Sequence, residues 1–98
     1  MQVKWLAEAI QDLAEIRRYI SRNKPAAAQD VAKRIRETIS YLSEHPEIGR
    51  AGRIPKTREL VIPGLPYIVP YRVRGGAIEI LGVLHGARQP QAEQEDKA

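Results

Sequence analysis

The spacing of apolar residues along the chain changes twice. In a short opening Val3 and Trp5 alternate with Gln2 and Lys4, a strand-like pattern that also suits the lead-in to a helix. Leu6, Ala9, Ile10, Leu13, Ile16 and Ile20 then recur at steps of three and four, which predicts a helix with one apolar face. Its acids, Glu8, Asp12 and Glu15, precede its bases, Arg17, Arg18 and Arg22, the order the helix dipole favours. In "SRNKP" the cap-forming types Ser21 and Asn23 precede Pro25, which is tolerated in a first turn, so a second helix is predicted to start there. Ala28, Val31, Ala32, Ile35, Ile39 and Leu42 continue it, Asp30 stands four residues before Arg34 as a favourable surface pair, and His45-Pro46 ends it. So short a link predicts an antiparallel hairpin whose two apolar stripes need a common surface.

From Thr57 the period becomes two. In "TRELVI" Arg58, Leu60 and Ile62 share one face while Glu59 and Val61 share the other. In "YIVPYRV" Tyr67, Val69, Tyr71 and Val73 form an apolar face to lie under the helices, and Ile68, Pro70, Arg72 and Arg74 point away. Pro70 has no N–H to donate, which predicts a defect in the strand ladder at that point. "RGG" reads as a hairpin turn, and "AIEILGVL" as the most buried strand, with His85 at its end. The preceding "EIGRAGRIPKT" has no period and reads as a basic loop that could reach a partner. No internal repeat is present. Residues 1–88 are expected to form one domain and 89–98 a polar, partly disordered tail.

A chain of 98 residues has room for one core. The absence of cysteine excludes a disulfide framework, a thiolate zinc site and a cysteine nucleophile. No apolar stretch approaches the roughly 20 residues that span a bilayer, and the N-terminus lacks the basic-then-apolar order of a signal peptide. A soluble, cytoplasmic chain with no membrane partner is therefore expected. The net charge of +4 is uneven: residues 1–47 carry +1, residues 48–88 carry +5 and the tail −2. A polyanion or an acidic partner would be drawn to the meander and the loop before it, although a basic surface that merely aids solubility gives the same count.

The chain has no glycine-rich phosphate loop, no metal-spaced histidine pair and no nucleophile triad, and no cofactor is expected. What remains is a set of cationic and titratable side chains on or beside the strands: Arg58, Arg72, Arg74, His85 and Arg88. Such a set could serve metal-independent RNA cleavage, in which a base takes the 2′-hydroxyl proton, an acid protonates the leaving oxygen and guanidinium groups stabilise the phosphorane. Each also has a structural reading. His85 can be a strand-end residue bonded to backbone and Arg88 an ion-pair residue, while Tyr67, Tyr71 and Trp5 suit the core, and Glu59 and Glu79 suit cross-strand pairing with the arginines.

The succession of "LAEAIQDLAEIRRYI", "HPEIGRAGR", "TRELVIPGLPYIVPYRV" and "IEILGVLHGAR" resembles the RelE/ParE family of bacterial toxins over nearly the whole chain to Arg88. The resemblance implies an α+β fold in the order β-α-α-β-β-β, with a two-helix antiparallel hairpin on a small twisted antiparallel sheet. It also implies a cognate antitoxin of the ParD or RelB kind that wraps the toxin in a hetero-oligomer. Partner-binding residues would be Arg50, Arg53, Lys56, Arg58, Arg72, Arg74 and Arg88. RelE-like members resemble ribosome-dependent messenger RNA endonucleases, in which case Lys56, Arg58, Arg72, His85 and Arg88 would be the catalytic set. ParE-like members poison DNA gyrase instead. Ile68 stands where many of the nucleases carry an arginine, and no tyrosine follows Arg88, departures that favour the ParE-like activity. A third expectation is an antitoxin-binding protein without toxicity.

Overall fold

A computed structural model of the chain describes residues 1–86; the expectations for Arg88 and for the tail lie outside these. The elements are β1 (Gln2–Trp5), α1 (Ala7–Ser21), α2 (Pro25–Ser40), a 3-10 turn (Tyr41–Ser43), β2 (Arg50–Ala51), β3 (Arg58–Val61), β4 (Tyr67–Arg74), β5 (Ala77–Ile80) and β6 (Leu84–His85). The two helices lie on one face of a sheet ordered β1-β5-β4-β3-β2, with β6 beside β4 beyond the end of β5. This is the expected α+β arrangement. Within it β1 joins β5 in parallel, so the sheet is mixed rather than wholly antiparallel. A parallel pair needs a long crossover, and here the helices and the intervening strands supply it.

Each helix begins where its apolar period begins. Pro25 occupies the first turn of α2 as expected, but neither Ser21 nor Asn23 caps that helix: Ser21 closes α1, and the residue before Pro25 is Lys24. The stripes Ala9 and Leu13 on α1 and Ala32, Ile35 and Ile39 on α2 meet Leu60, Ile62, Tyr67, Val69, Tyr71, Ile78 and Ile80 from the sheet. Val3 and Trp5 pack against the same core, which settles the opening segment as a strand. Burying a Leu, Ile or Val side chain in this way stabilises the fold by roughly 1.5–3 kcal/mol each.

Cover ends before the pattern does. Ile10, read as part of the buried face of α1, is 56% exposed, and Val73, read as continuing the apolar face of β4, is 46% exposed. Periodicity assigned Val73 its face correctly, since it pairs with the buried Ile78, but the packed layer stops one position short of it.

Two local departures shape the surface. The basic segment read as loop contains the two-residue strand β2, which pairs Arg50 with Glu59 and Ala51 with Arg58. The strand read as continuous from Ala77 to Leu84 breaks after Ile80. Tyr71 faces Ile80 and Ile68 faces Leu84, so Leu81, Gly82 and Val83 lie opposite only Val69 and Pro70. This bulge is the defect expected at Pro70. The Leu81 N–H donates to Pro70 O at 2.9 Å, and the Val83 N–H leaves the ladder to donate to Asp12 Oδ2 on α1, also at 2.9 Å.

Candidate functional site

β4 runs past the start of β3. Arg58 faces Tyr71, so Arg72, Val73 and Arg74 have no β3 residue opposite them. The chain turns away there because Lys56 adopts a left-handed conformation (φ 69°), uncommon for a side-chain-bearing residue, while the Gly52 N–H donates to Thr57 O at 2.8 Å. Gly52 is required by this closure, since a Cβ there would collide with Thr57 Oγ1. The result is an open depression of about 270 Å³ lined by Ala51, Lys56, Thr57, Arg58, Arg72 and Val73. Three of the sequence-derived candidates thus meet at one place.

Two of those three have partners. Arg58 Nη1 donates to Gly49 O at 2.8 Å and to Glu47 O at 3.1 Å, tying down the segment that precedes β2. Arg72 Nε donates to Glu79 Oε1 at 2.6 Å across β4 and β5. That guanidinium, helped by Arg74 and Lys4, holds the Glu79 carboxyl below its ordinary value. Glu59 likewise accepts from Arg50 Nε and Nη2 at 3.2 and 3.1 Å. Both glutamates are therefore cross-strand partners of arginines, as the alternation suggested. Lys56 lines the depression and is exposed, as are Arg53 and Arg74, which are not among the lining residues.

His85 lies elsewhere. It pairs with Tyr67 at the far end of β4 and meets that ring edge-on, with centroids 5.6 Å apart. Tyr67 and Arg72 are five residues apart on β4, about 16 Å at the usual strand rise, and their side chains leave opposite faces. His85, sharing the face of Tyr67, is not gathered with the cations. Burial raises the Tyr67 hydroxyl pKa, as it does that of Tyr71.

Sequence reasoning did not find Tyr71 as a polar group. Its side chain is fully buried, yet its hydroxyl donates to Pro46 O at 2.8 Å and accepts from the Gly49 N–H at 2.9 Å. A glycine between Ile48 and Arg50 was the one available signal, because a Cβ at Gly49 would lie 2.6 Å from the Tyr71 ring. A second depression, about 300 Å³ between α1 and α2, is lined by small residues with Arg17 and Arg18.

A two-helix hairpin on a sheet with a basic notch, and no gathered acid/base pair among the described residues, is a fold with relatives. Residues 3–90 match the family described as the ParE toxin of the type II toxin-antitoxin system parDE. The chain belongs to the ParE toxin family. Among curated relatives, toxin Y4kP of Sinorhizobium fredii is 43% identical over 88 residues, 90% of this chain and 91% of that protein. Toxin RelE2 of Caulobacter vibrioides is 38% identical over 87 residues, 89% of this chain and 97% of the relative. A solved chain of the chromosomal ParDE toxin-antitoxin system from P. aeruginosa superposes with a TM-score of 0.83 at 28% identity, covering 87% of this chain and 95% of that one. This ParE-family chain is thus a type II toxin of the ParE/RelE kind, and no helix among its described residues is long and apolar enough to cross a membrane.

Proposed function

We propose that this toxin acts on DNA gyrase, does not itself cut RNA, and is held inactive by a cognate antitoxin of the ParD kind. One observation carries the choice of target: among the described residues, the groups a nuclease would need are not assembled. Lys56, Arg58 and Arg72 share a depression, but Arg58 is committed to two backbone carbonyls and Arg72 to Glu79. His85, the histidine carried on a strand of the sheet, stands at the opposite end of β4. Ile68, where an arginine would stabilise the phosphorane, lies in an apolar row with Val61 and Leu84. Losing one such electrostatic contact typically costs on the order of 100- to 1,000-fold in rate. The family match and the ParDE neighbour support the toxin–antitoxin part of this reading.

The test is a paired assay on purified protein. Inhibition of gyrase supercoiling, with gyrase-dependent DNA breaks and intact ribosome-bound messenger RNA, is the expected result. Codon-specific RNA cuts on translating ribosomes would overturn it. Growth arrest on expression, relieved by co-expression of an antitoxin of the ParD kind, tests the antitoxin; indifferent growth at confirmed soluble expression would favour a non-toxic binding protein.

A further inference from the structure

Cations gather at one end of the helical hairpin. Residues 16–29 hold Arg17, Arg18, Arg22 and Lys24 and no Asp or Glu, although residues 1–47 together carry only +1. All four are exposed, and among the described residues none of them forms an ion pair. Between the helices at this end lies the depression of about 300 Å³, where Ala14, Ser21, Pro25 and Ala28 leave space and Arg17 and Arg18 stand beside it. Like charges gathered in this way repel one another, and acidic groups placed among them relieve that repulsion.

The described residues end close by. The Gly86 N–H donates to Pro66 O at 2.6 Å, and the preceding His85 meets the Tyr67 ring edge-on. Tyr19 of α1 is near enough to Tyr67 to act on its hydroxyl, and the Arg22 guanidinium lies over the Tyr19 ring, 5.8 Å from its centre. Gly86 thus connects through Tyr67 and Tyr19 to the hairpin cations. The sequence then continues "ARQPQAEQEDKA", whose acids, Glu93, Glu95 and Asp96, lie past residue 90, where the family match ends. Glu93 stands seven residues past Gly86 and Asp96 ten. Extended chain of those lengths spans roughly 23 and 33 Å. A helix with its side chains is about 10–12 Å across, so this reach carries the acids over α1 to the side that faces α2.

We propose that the acidic stretch Glu93–Asp96 folds back onto the cationic end of its own helical hairpin, setting its carboxylates among Arg17, Arg18, Arg22 and Lys24 at the depression between α1 and α2. Each exposed pair contributes little by itself. The tether makes the difference: a short flexible link holds the acids at a roughly millimolar effective concentration, so several weak pairs act together. The sheet cations are a poorer site. Arg72 is already paired with Glu79, and β6 runs antiparallel to β4, so at Gly86 the chain is heading away from Arg72 and Arg74. The tail of a second copy would meet the same hairpin cations, but only at the concentration of the protein in solution.

The experiment uses the full-length chain, which has no cysteine, so that Ala92→Cys gives a single attachment point for a nitroxide spin label beside the acids. The amide NMR signals of Arg17, Arg18, Ser21 and Gln29 are expected to broaden at low salt, while those of Arg72 and Arg74 stay sharp. Broadening should fade at about 1 M salt, where screening shortens the reach of exposed charges to about 3 Å. It should fade equally when Glu93→Gln/Glu95→Gln/Asp96→Asn is added to the labelled chain, a change confined to residues beyond the described domain. Arg18→Gln/Arg22→Gln, checked for folding by circular dichroism, should do the same from the other side of the contact. Hairpin signals that stay sharp, that broaden as much in the neutralised tail, or that are matched by equal broadening at Arg72 and Arg74 overturn the proposal. So does broadening that arises only between molecules, read from an isotope-labelled chain mixed with a separately spin-labelled one.

Discussion

Arg58 and Tyr71 face each other across β3 and β4 and hold the same stretch of backbone. The tyrosine hydroxyl bridges Pro46 O and the Gly49 N–H, and the arginine donates to Glu47 O and Gly49 O. Between them they satisfy both backbone groups of Gly49, at the point where the chain leaves the helices for the sheet.

Tyr71→Phe should therefore destabilise the protein without leaving a cavity. The buried Gly49 N–H would lose its acceptor, a loss of about 1–3 kcal/mol, and each kcal/mol lowers Tm by about 4–8 °C in a domain of this size. Gly49→Ala should fail through the same contact, by collision with the Tyr71 ring. Urea denaturation of both variants checks this; a Tyr71→Phe protein as stable as the wild type would show that the hydroxyl bridge contributes nothing.

Arg58 and Lys56 line one depression but should behave oppositely. Arg58→Ala removes two carbonyl contacts and should lower Tm along with any activity. Lys56→Gly places a residue suited to positive φ where the backbone already requires it, and should leave stability unchanged or raise it by up to about 1 kcal/mol. Growth arrest and Tm measured together on both separate a functional cation from a structural one.

Burial holds the Asp12 carboxyl above its ordinary value of 3.8, and Glu8 and Glu15 push the same way against the opposing Val83 N–H. The folded state thus binds this proton more tightly than the unfolded state. The group's contribution is greatest below its unfolded pKa and is lost as pH rises through the folded one. Asp12→Asn keeps an oxygen acceptor for Val83 and removes the titration, so the variant should gain on the wild type as pH rises from below the ordinary carboxyl value of 3.8 through the raised folded one, and match or exceed it at neutrality. Asp12→Ala should instead lose about 1–3 kcal/mol, because the Val83 N–H has no acceptor. Thermal melts across that range read both.

His85→Ala is expected to retain toxicity while losing its edge contact with Tyr67, about 0.5–1.5 kcal/mol. Arrest that disappears in a variant shown by circular dichroism to be folded would bring the histidine back as a reacting group.

Much of this was legible in the sequence because it depends on local geometry. Steps of three and four placed Leu13 and Ile35 in the core, Pro25 marked the first turn of α2, and alternation put Glu79 beside an arginine. Pro70 announced a ladder defect, since a missing N–H is a property of the residue itself. The candidate site was legible only as a set of residue types. Which cations share a depression, and which are already engaged, was not.

The tertiary structure decided the rest, because each remaining feature depends on atoms distant in sequence. β1 takes β5 as a parallel partner across almost the whole described chain, and Asp12 reaches the Val83 N–H over 71 positions. Arg34, read as a surface partner of Asp30, donates to Pro63 O and so ties α2 to the turn before β4. Ile10 and Val73 fit their apolar patterns but lie beyond the covered layer. Periodicity fixes the direction in which a side chain leaves its own element. What it meets there, whether core, charge or water, depends on the length and placement of the layer packed against it.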